Sequence, residues 1–370
     1  MNINHSLTNR LFLMANLLVT IFVYQSDAIY DCSKISQYCI CDESDSSIYC
    51  RRFTDFNQLD FSSGFKVSEL FLAPSNKLAL NERLNLNGIE PNGSLQFIFG
   101  KLASIDFKAN PFKDFKRSDS LTLEIYQSNF QFTYDGKDLD DDDVCEMLLN
   151  DPSQEWAMPL FDELLILNSN PTPKPVCPVM FRNANISRLF LRNFDTNSQI
   201  IFRNTSVDLS CKISTLSIGR NYEILNRTVL NGNIFKGLAD LDVSGLNLEE
   251  IVDDAFDDLV SLRSIKLAPD NMLEFIQSSD NKWLANLNSR ITIDPANVTD
   301  INSTFINENR FDILFDFSKE NYLFPDEDFC RFKLFPHEHL VNPNVYISHN
   351  ITYLCTCTLG YLYRYNKNFN

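Results

Sequence analysis

The histidines in the last part of the chain are the residues whose types and spacing come closest to a catalytic or metal site. The sequence has four histidines, and His337, His339 and His349 lie near one another. His337-Glu338-His339 has the spacing of a zinc ligand pair, which His349 or Glu338 could complete. The same triplet fits an exposed loop, and the chain has no His-Glu-x-x-His helix, Gly-x-Ser-x-Gly elbow or phosphate-binding glycine loop. We therefore expect no catalytic residue, no cofactor and no metal.

The ten cysteines are the second set with reactive chemistry. The Cys-x-Cys pairs at Cys39 and Cys355 could act in redox exchange, but an even cysteine count in an exported chain favours structural disulfides. Cys145 and Cys177 bracket the segment around Leu165, and a bond between them could tie neighbouring elements together. The partner of Cys211 stays open.

The N-terminus indicates export. Arg10 precedes a largely apolar run at 11–24, and Ser26 and Ala28 are small residues at the positions typical of a cleavage site. The run is shorter than the roughly 20 apolar residues that cross a membrane, and an uncleaved anchor is the alternative. We expect residues 1–28 to be a signal peptide, and the mature chain to be secreted with no membrane span.

The remaining chain carries features of an acidic glycoprotein. Its formal net charge of −17 disfavours binding to nucleic acid or anionic membranes, which need basic surfaces. The acidic run at 138–143 lacks the glycine and distal glutamate of an EF-hand loop, so we expect a solvated insertion there. Seven Asn-x-Ser/Thr sites are predicted glycosylation acceptors: Asn92, Asn185, Asn204, Asn226, Asn297, Asn302 and Asn350.

Short strand signals recur along the chain as pairs of apolar residues separated by one residue. The best preserved segment is 238–267, in which Leu241/Val243 is followed by Ile265/Leu267. From Leu165 onward the pairs recur at steps of 24, 27, 25, 24 and 26 residues, which favours a repeat array, whereas the earlier steps are irregular. The predicted pairs begin at Leu70, Ile105, Leu123, Leu165, Leu189, Leu216, Leu241, Ile265 and Ile291.

With these repeats and cysteines, the chain resembles the extracellular leucine-rich-repeat family. The resemblance implies an α/β solenoid, with a curved parallel sheet on the concave face, loops and short helical turns on the convex face, and disulfide-bonded caps. It also implies that Asn110 bonds backbone groups at the turn after a strand. The expected divisions are an N-terminal cap at 29–64, an array at 65–310, and a C-terminal cap at 311–370. The array is expected to be irregular over 65–160 and regular over 161–295.

The two caps carry much of the resemblance. The N-terminal cluster of Cys32, Cys39, Cys41 and Cys50 is similar to the family's N-terminal cap, which implies the pairs Cys32–Cys41 and Cys39–Cys50. The segment Cys355-x-Cys357-x-Leu359 resembles the start of a C-terminal cap. Because the further cysteines of that cap are missing, we expect a shortened cap closed by Cys330 with Cys355 or Cys357.

A binding surface follows from strand parity. Where the apolar pair points into the core, the neighbouring residues face the opposite side of the sheet. None of the seven glycosylation acceptors falls among these neighbours, and their mixed charges suit protein recognition. The candidate binding residues are Arg188, Phe190, Arg192, Ser217, Asp240, Asp242, Lys266 and Thr292.

The function expected from the sequence is therefore non-enzymatic. A secreted glycoprotein of this kind would bind an extracellular protein, or a matrix or microbial ligand, on its concave face. A non-catalytic subunit that stabilises a secreted enzyme is the alternative. An enzyme built around the three histidines is the third possibility.

Overall fold

A computed structural model gives the fold of the chain. It describes residues 35–42, 44–61, 65–82, 84, 86, 88–113, 120–127, 131–153, 161–168, 175–192, 202–219, 223–244, 247–278, 282–284, 311–318, 322–332, 341–348 and 351–365. The predicted signal peptide, Cys32, Thr292, Asn297, Asn302, Asn350 and the three histidines discussed above lie outside these residues.

The dominant element is a twelve-stranded β-sheet. We number all strands in chain order. The sheet contains β1 (Cys39–Asp42), β2 (Ser47–Arg51), β3 (Phe65–Ala73), β5 (Ile89–Gly100), β7 (Ser120–Gln127), β10 (Glu163–Asn168), β11 (Asn185–Arg192), β12 (Lys212–Gly219), β14 (Asp240–Ser244), β16 (Ser264–Ala268), β17 (Phe311–Asp316) and β18 (Val341–Tyr346).

These strands lie side by side in the order in which they occur along the chain. Only β1 and β2 pair antiparallel, and every later neighbour pairs parallel. A parallel neighbour requires a crossover of the chain, so each strand is followed by a return segment behind the sheet. The chain is therefore α/β, with a large and mostly parallel sheet and few helices.

Apolar and polar residues alternate along the strands, and this alternation explains why one side of the large sheet is buried. One buried residue from each strand stands in register with the next, and these residues form a continuous row through the core. The row contains Ile48, Leu70, Phe97, Leu123, Leu164, Leu189, Leu216, Leu241, Ile265 and Ile313.

Most of the predicted strand pairs are buried as expected, but the pair at Leu165 is wrong by one residue. Leu164 and Ile166 point into the core, and Leu165 is partly exposed. The reason is that the strand follows the spacing Phe161-x-x-Leu164-x-Ile166, and Phe161 is fully buried. The pair at Ile291 lies outside the described residues, and the strand that pairs with β16 is β17.

The pair at Ile105 is also assigned to the wrong sheet. Ile105 lies in β6 of a separate four-stranded sheet, formed by β4 (Leu78–Leu80), β6 (Leu102–Asp106), β8 (Gln131–Tyr134) and β9 (Lys137–Asp138). The large sheet uses Phe97 and Phe99 instead, 27 residues after Leu70 and Leu72. Phenylalanine takes the place of leucine there, so the N-terminal part is more regular than its leucines indicate.

Asn110, predicted to bond backbone groups at the turn after Ile105, lies in such a turn, but its side-chain oxygen makes no bond in the described part of the chain. Asn110 has a positive φ of 44°, and its side-chain oxygen is buried without a hydrogen-bond partner among the described residues. The turn is held by backbone instead, since the Asn110 amide donates to the Phe107 carbonyl at 3.2 Å. Asparagine is one of the residues that tolerates this left-handed conformation.

Among the described residues the helices are short, and all but the last lie between strands of the large sheet. They are α1 (Asp142–Leu149), α2 (Gly232–Phe235), α3 (Met272–Ser278), α4 (Phe329–Phe332) and α5 (Cys357–Tyr365). A two-stranded sheet of β13 (Ile224–Leu225) and β15 (Glu250–Ile251) lies in the return segments. Among the described residues, no helix is both long enough and apolar enough to cross a membrane.

The acidic run at 138–143 is structured and only partly solvated, which corrects the expectation. Asp141 precedes α1, and Asp142 and Asp143 lie in its first turn, where carboxylates favour a helix. Asp140 is buried and accepts a hydrogen bond from the Cys177 amide at 2.8 Å. Arg203 forms an ion pair with Asp142 and donates to the Asp140 carbonyl at 2.7 Å.

Two disulfides stabilise the described body. Cys39 bonds to Cys50 across the β1–β2 pair, and Cys145 in α1 bonds to Cys177, as the sequence suggests for both. Cys41 is also disulfide-bonded, and its predicted partner Cys32 lies outside the described residues.

The predicted closure of the C-terminal cap is wrong. Cys330, Cys355 and Cys357 are exposed and free. Side-chain packing closes this region, since the Phe329 ring of α4 contacts the Tyr361 ring of α5 at 5.2 Å. Helix packing therefore replaces the expected disulfide.

Candidate binding face

The side of the large sheet opposite the core presents the chain's best candidate site. Residues that alternate with the buried positions stand in register from β2 to β18, and we call this surface the sheet face. Its central row contains Tyr49, Phe71, Ile98, Glu124, Leu165, Phe190, Ser217, Asp242, Lys266, Leu314 and Asn344. The adjacent row contains Glu69, Gln96, Thr122, Glu163, Arg188, Thr215, Asp240, Ser264 and Asp312.

The first half of the central row is mainly apolar. Five apolar side chains in this half are partly exposed, at positions where a solvated strand usually has polar residues: Tyr49, Phe71, Ile98, Leu165 and Phe190. The Tyr49 and Phe71 rings are 6.1 Å apart, and the Arg51 guanidinium lies 5.6 Å from the centre of the Phe71 ring. Aromatic residues and arginine are both enriched at protein interfaces.

Carboxylates stand beside this apolar row. Burial is the main cause that raises the pKa of Glu69, and the nearby carboxylates of Glu124 and Asp45 raise it further. A hydrogen bond with Tyr49 acts in the opposite direction on the Glu69 pKa. Gln96 lies between the two glutamates and donates to Glu124 at 2.5 Å. This part of the sheet face is therefore acidic and partly desolvated.

Glu69 predicts a dependence of stability on pH. A carboxyl whose pKa is raised by folding contributes stability that is fully present below its unfolded pKa of about 4, and that is lost as pH rises through the folded pKa. We expect Glu69→Gln to raise the melting temperature at pH 7 and to have little effect near pH 4, as measured by thermal unfolding at both values. Glu163→Gln is the control, because it removes an ion pair with Arg188 and should bring no gain. An equal gain from the two substitutions would contradict this account.

The second half of the sheet face is polar and internally paired. Lys266 forms an ion pair with Asp242 at 3.3 Å, and the Ser244 hydroxyl donates to the same carboxylate. Arg188 pairs with Glu163 across β10 and β11. Pairs this exposed contribute only about 0–1 kcal/mol to stability, so these charges remain available for a partner.

The structure places the sequence-predicted binding residues as follows. Arg188, Phe190, Asp240, Asp242 and Lys266 lie on the sheet face and are at least partly exposed. Ser217 stands in the central row but is buried, so it offers little surface. Arg192 ends β11.

The apolar residues of the first half are the part that the sequence analysis missed. Tyr49, Phe71 and Ile98 precede the region in which leucine pairs recur regularly, and Leu165 was assigned to the core. Ile98 lies between Phe97 and Phe99, whose side chains point into the core. Alternation along the strand therefore places Ile98, and the residues in register with it, on the sheet face.

The described glycosylation acceptors are not members of the two rows of the sheet face, although Asn92 lies in β5 and Asn185 in β11. Asn92, Asn185 and Asn204 are exposed, and Asn226 is partly exposed. Asn92 lies near the turn before β2, where its side-chain amide donates to the Ser46 hydroxyl at 3.2 Å. Asn226 uses its side-chain oxygen to accept from the amides of Thr228 and Val229 at 2.9 and 3.0 Å.

A polar cavity near two of these acceptors is a weaker candidate. It is lined by Asn204, Arg227, Thr228, Asn231, Gly232, Asn233 and Asp258. Arg227 holds Asp258 with contacts of 2.7 and 2.9 Å, so both charges are already satisfied. Among the described residues there is no group of three or more His, Cys, Asp or Glu side chains that could hold a metal.

No protein-family model and no curated protein matches this chain.

Proposed function

We propose that the chain is an extracellular leucine-rich-repeat protein that binds another protein on its sheet face. The observation that carries this proposal is the central row from Tyr49 to Phe190, in which five partly exposed apolar side chains stand in register beside the partly desolvated carboxylate of Glu69. Solvated strand positions favour polar residues, so an apolar row of this length indicates a surface that a partner covers.

The repeat assignment is supported by a recurrent spacing of buried residues. Ile186-x-x-Leu189-x-Leu191 recurs in β12, β14 and β16 and their preceding residues, and each of its apolar positions is buried. This is the core of the leucine-rich-repeat pattern. Each repeat would contribute one strand of the large sheet and a return segment behind it, in a solenoid with its concave face at the sheet face.

The extracellular location is supported by independent features. The described body contains the disulfides Cys39–Cys50 and Cys145–Cys177, which form and persist in oxidising compartments. The predicted signal peptide and glycosylation sites agree with them. None of the acceptors that the structure describes belongs to the two rows of the sheet face.

Removing two of the three partly exposed aromatic rings of the central row tests whether the sheet face binds the partner. The tagged mature chain would first capture its partner from the native extracellular fluid, and the partner would be identified by mass spectrometry. We expect the double variant Phe71→Ala/Phe190→Ala to weaken binding of that partner about 10- to 100-fold, because buried aromatic anchors each contribute more than about 1 kcal/mol. Biolayer interferometry would measure the dissociation constants.

The matched control removes an exposed apolar side chain elsewhere. Val260 is 78% exposed and lies outside the sheet, so Val260→Ala should leave the dissociation constant unchanged. The melting temperatures of both variants must stay close to that of the wild type. Undiminished binding by the folded double variant would exclude the sheet face as the binding site.

A further inference from the structure

The polar cavity lies among three successive return segments of the large sheet. Its volume of about 440 Å³ falls within the range of about 300–1,000 Å³ that is usual for small-ligand sites. Asn204 belongs to the segment between β11 and β12, residues 227–233 to the segment between β12 and β14, and Asp258 to the segment between β14 and β16. A ligand in this cavity would therefore contact three neighbouring connections at once.

The wall formed by Gly232, Arg227 and Asp258 is closely packed and carries paired charges. A Cβ added at Gly232 would lie 2.4 Å from the Asp258 Cβ, so only glycine lets these two segments approach. The Arg227 guanidinium donates to the Asp258 carboxylate at 2.7 and 2.9 Å, and the two charges offset one another. Such a wall favours an uncharged polar ligand over an anion or a cation.

Asn204 lines this cavity and is also a predicted glycosylation acceptor, in the triplet that ends at Ser206. Its side-chain oxygen accepts a hydrogen bond from the side-chain amide of Asn231, which is buried. Asn231 is held in turn, because its own side-chain oxygen accepts from the Asn233 backbone amide at 2.9 Å. The Asn204 side chain is therefore fixed through its oxygen, which leaves its amide nitrogen, the atom that carries a glycan, for a sugar.

The other lining side chains suit the first sugar of such a glycan. N-acetylglucosamine is uncharged, and its hydroxyl and acetamido groups both donate and accept hydrogen bonds. The Thr228 hydroxyl can also do both. The side-chain amide of Asn233 donates to the Thr205 carbonyl at 2.7 Å, and its side-chain oxygen can accept from a sugar hydroxyl.

We propose that the cavity holds the first N-acetylglucosamine of a glycan on Asn204, and that this sugar joins the three return segments. The proposal rests on the extracellular location proposed above, because glycans of this kind are added to exported chains. It goes beyond the predicted acceptor, since it gives the sugar a fixed place in the fold. Binding on the sheet face does not depend on it.

The covalent step is the transfer of an oligosaccharide from a lipid diphosphate donor. A bond forms between the Asn204 amide nitrogen and C1 of the first N-acetylglucosamine, and the bond between C1 and the diphosphate oxygen breaks. The lipid diphosphate leaves, and the amide nitrogen gives up one proton to solvent. The step needs no oxidant or reductant.

The first test measures how fast peptide N-glycosidase F releases glycans from the folded mature chain made in a secretory host. Glycopeptide mass spectrometry would establish which acceptors are occupied, and each release leaves aspartate in place of asparagine. Asn185 is the reference, because it is exposed and does not line the cavity. We expect release at Asn204 to be at least about 10-fold slower than at Asn185, because the enzyme reaches the seated sugar only when the cavity opens. After unfolding, both sites should be released alike.

Opening the wall of the cavity should remove this protection. Asp258→Ala keeps the Cβ beside Gly232 but removes the carboxylate that holds Arg227. We expect release at Asn204 in the folded variant to approach the rate at Asn185. Asp208→Ala is the matched control, because Asp208 pairs with Lys236 outside the cavity and its loss should leave release at Asn204 slow.

The contribution of the sugar to stability is tested by removing two glycosylation triplets without changing an asparagine. Ser206→Ala removes the glycan from Asn204 but keeps the side chain that bonds to Asn231, and Ser187→Ala removes the glycan from Asn185. We expect Ser206→Ala to lower the melting temperature by about 2–4 °C, the shift that loss of one net favourable interaction brings in a large domain. Ser187→Ala should leave it unchanged, and neither substitution should matter in chain made with a glycosylation inhibitor.

Four outcomes would overturn the proposal. Two of them are an unmodified Asn204 in the secreted chain and release from the folded chain as fast as at Asn185. The third is slow release that persists in Asp258→Ala, because the cavity would then not be the barrier. The fourth is an equal melting temperature for Ser206→Ala and Ser187→Ala. Partner binding on the sheet face is measured separately, so a failure here is distinguishable from a failure of the proposed function.

Discussion

Phe112→Ala should lower the free energy of unfolding by about 3–5 kcal/mol, as deletion of a buried phenylalanine ring usually does. Phe112 is 1% exposed, and its ring lies 5.6 Å from that of Phe97, 6.2 Å from that of Phe99 and 5.1 Å from that of Phe161. The ring therefore joins β5 to Phe161, which lies two residues before β10. Alanine would leave a cavity, because the three neighbouring rings are rigid and cannot move to fill it.

Urea unfolding followed by circular dichroism measures this effect. Val260→Ala is the control, because this exposed side chain is not part of the core. The substitution should change the free energy of unfolding by no more than about 0.5 kcal/mol. A loss below about 1 kcal/mol for Phe112→Ala would show that the phenylalanines of the N-terminal part do not form one packed cluster.

Arg182→Met should be similarly damaging, although it removes a charged residue and not an apolar one. Arg182 is buried, and its guanidinium donates to the carbonyls of Leu148 and Leu149 at 2.9 and 2.7 Å and to that of Asp151. These carbonyls lie at and just beyond the C-terminal end of α1, where carbonyls lack the partners of a helix interior. Methionine keeps the side-chain length but removes all three guanidinium hydrogen bonds, although the Leu148 carbonyl still accepts from the Asp151 amide at 3.2 Å. A buried carbonyl that loses its hydrogen bond costs about 1–3 kcal/mol. We expect the free energy of unfolding to fall by about 3 kcal/mol or more.

The matched control is Arg188→Met, which removes an exposed arginine. The ion pair of Arg188 with Glu163 is open to water and contributes at most about 1 kcal/mol. Thermal unfolding of the two variants should therefore differ clearly. Equal losses would mean that Arg182 does not hold the end of α1.

The sequence predicts the strands of the large sheet best where leucine and isoleucine occupy the buried positions. Leu189, Leu216, Leu241 and Ile265 are placed correctly because their spacing is nearly constant, and the last three of them are flanked by polar residues on both sides. The same rule fails at Leu165, since Leu164, Leu165, Ile166 and Leu167 are all apolar and parity cannot be read from them. Only the buried Phe161 fixes which of the four point inward.

The N-terminal part was harder to predict for a different reason. Ile105, Phe107 and Asn110 match the repeat pattern locally, yet the large sheet takes Phe97 and Phe99, and Ile105 enters the second sheet. Choosing between two acceptable strands depends on long-range pairing, which local spacing does not determine. For the same reason the apolar half of the sheet face could not be predicted, because its residues are defined by their register with Phe97 and Phe99.

The cysteines show where pairing can and cannot be inferred. Cys39–Cys50 is the pair that the leucine-rich-repeat resemblance implies, and the structure places the two residues opposite each other in a short antiparallel pair. Cys145–Cys177 is the pair suggested by two cysteines that bracket the strand around Leu165. The C-terminal cysteines offered no such geometry. Packing of Phe329 against Tyr361 holds that region without a bond.

Carboxyl footprinting of the complex with the captured partner tests most directly whether the sheet face is the binding surface. Carbodiimide labelling would be compared with and without partner, and read by mass spectrometry at Asp240 and Asp242 on the sheet face and at Asp208 and Asp254 away from it. The account predicts that the partner protects Asp240 and Asp242 and leaves the labelling of Asp208 and Asp254 unchanged. Protection of Asp208 and Asp254 with full labelling of Asp240 and Asp242 would contradict it.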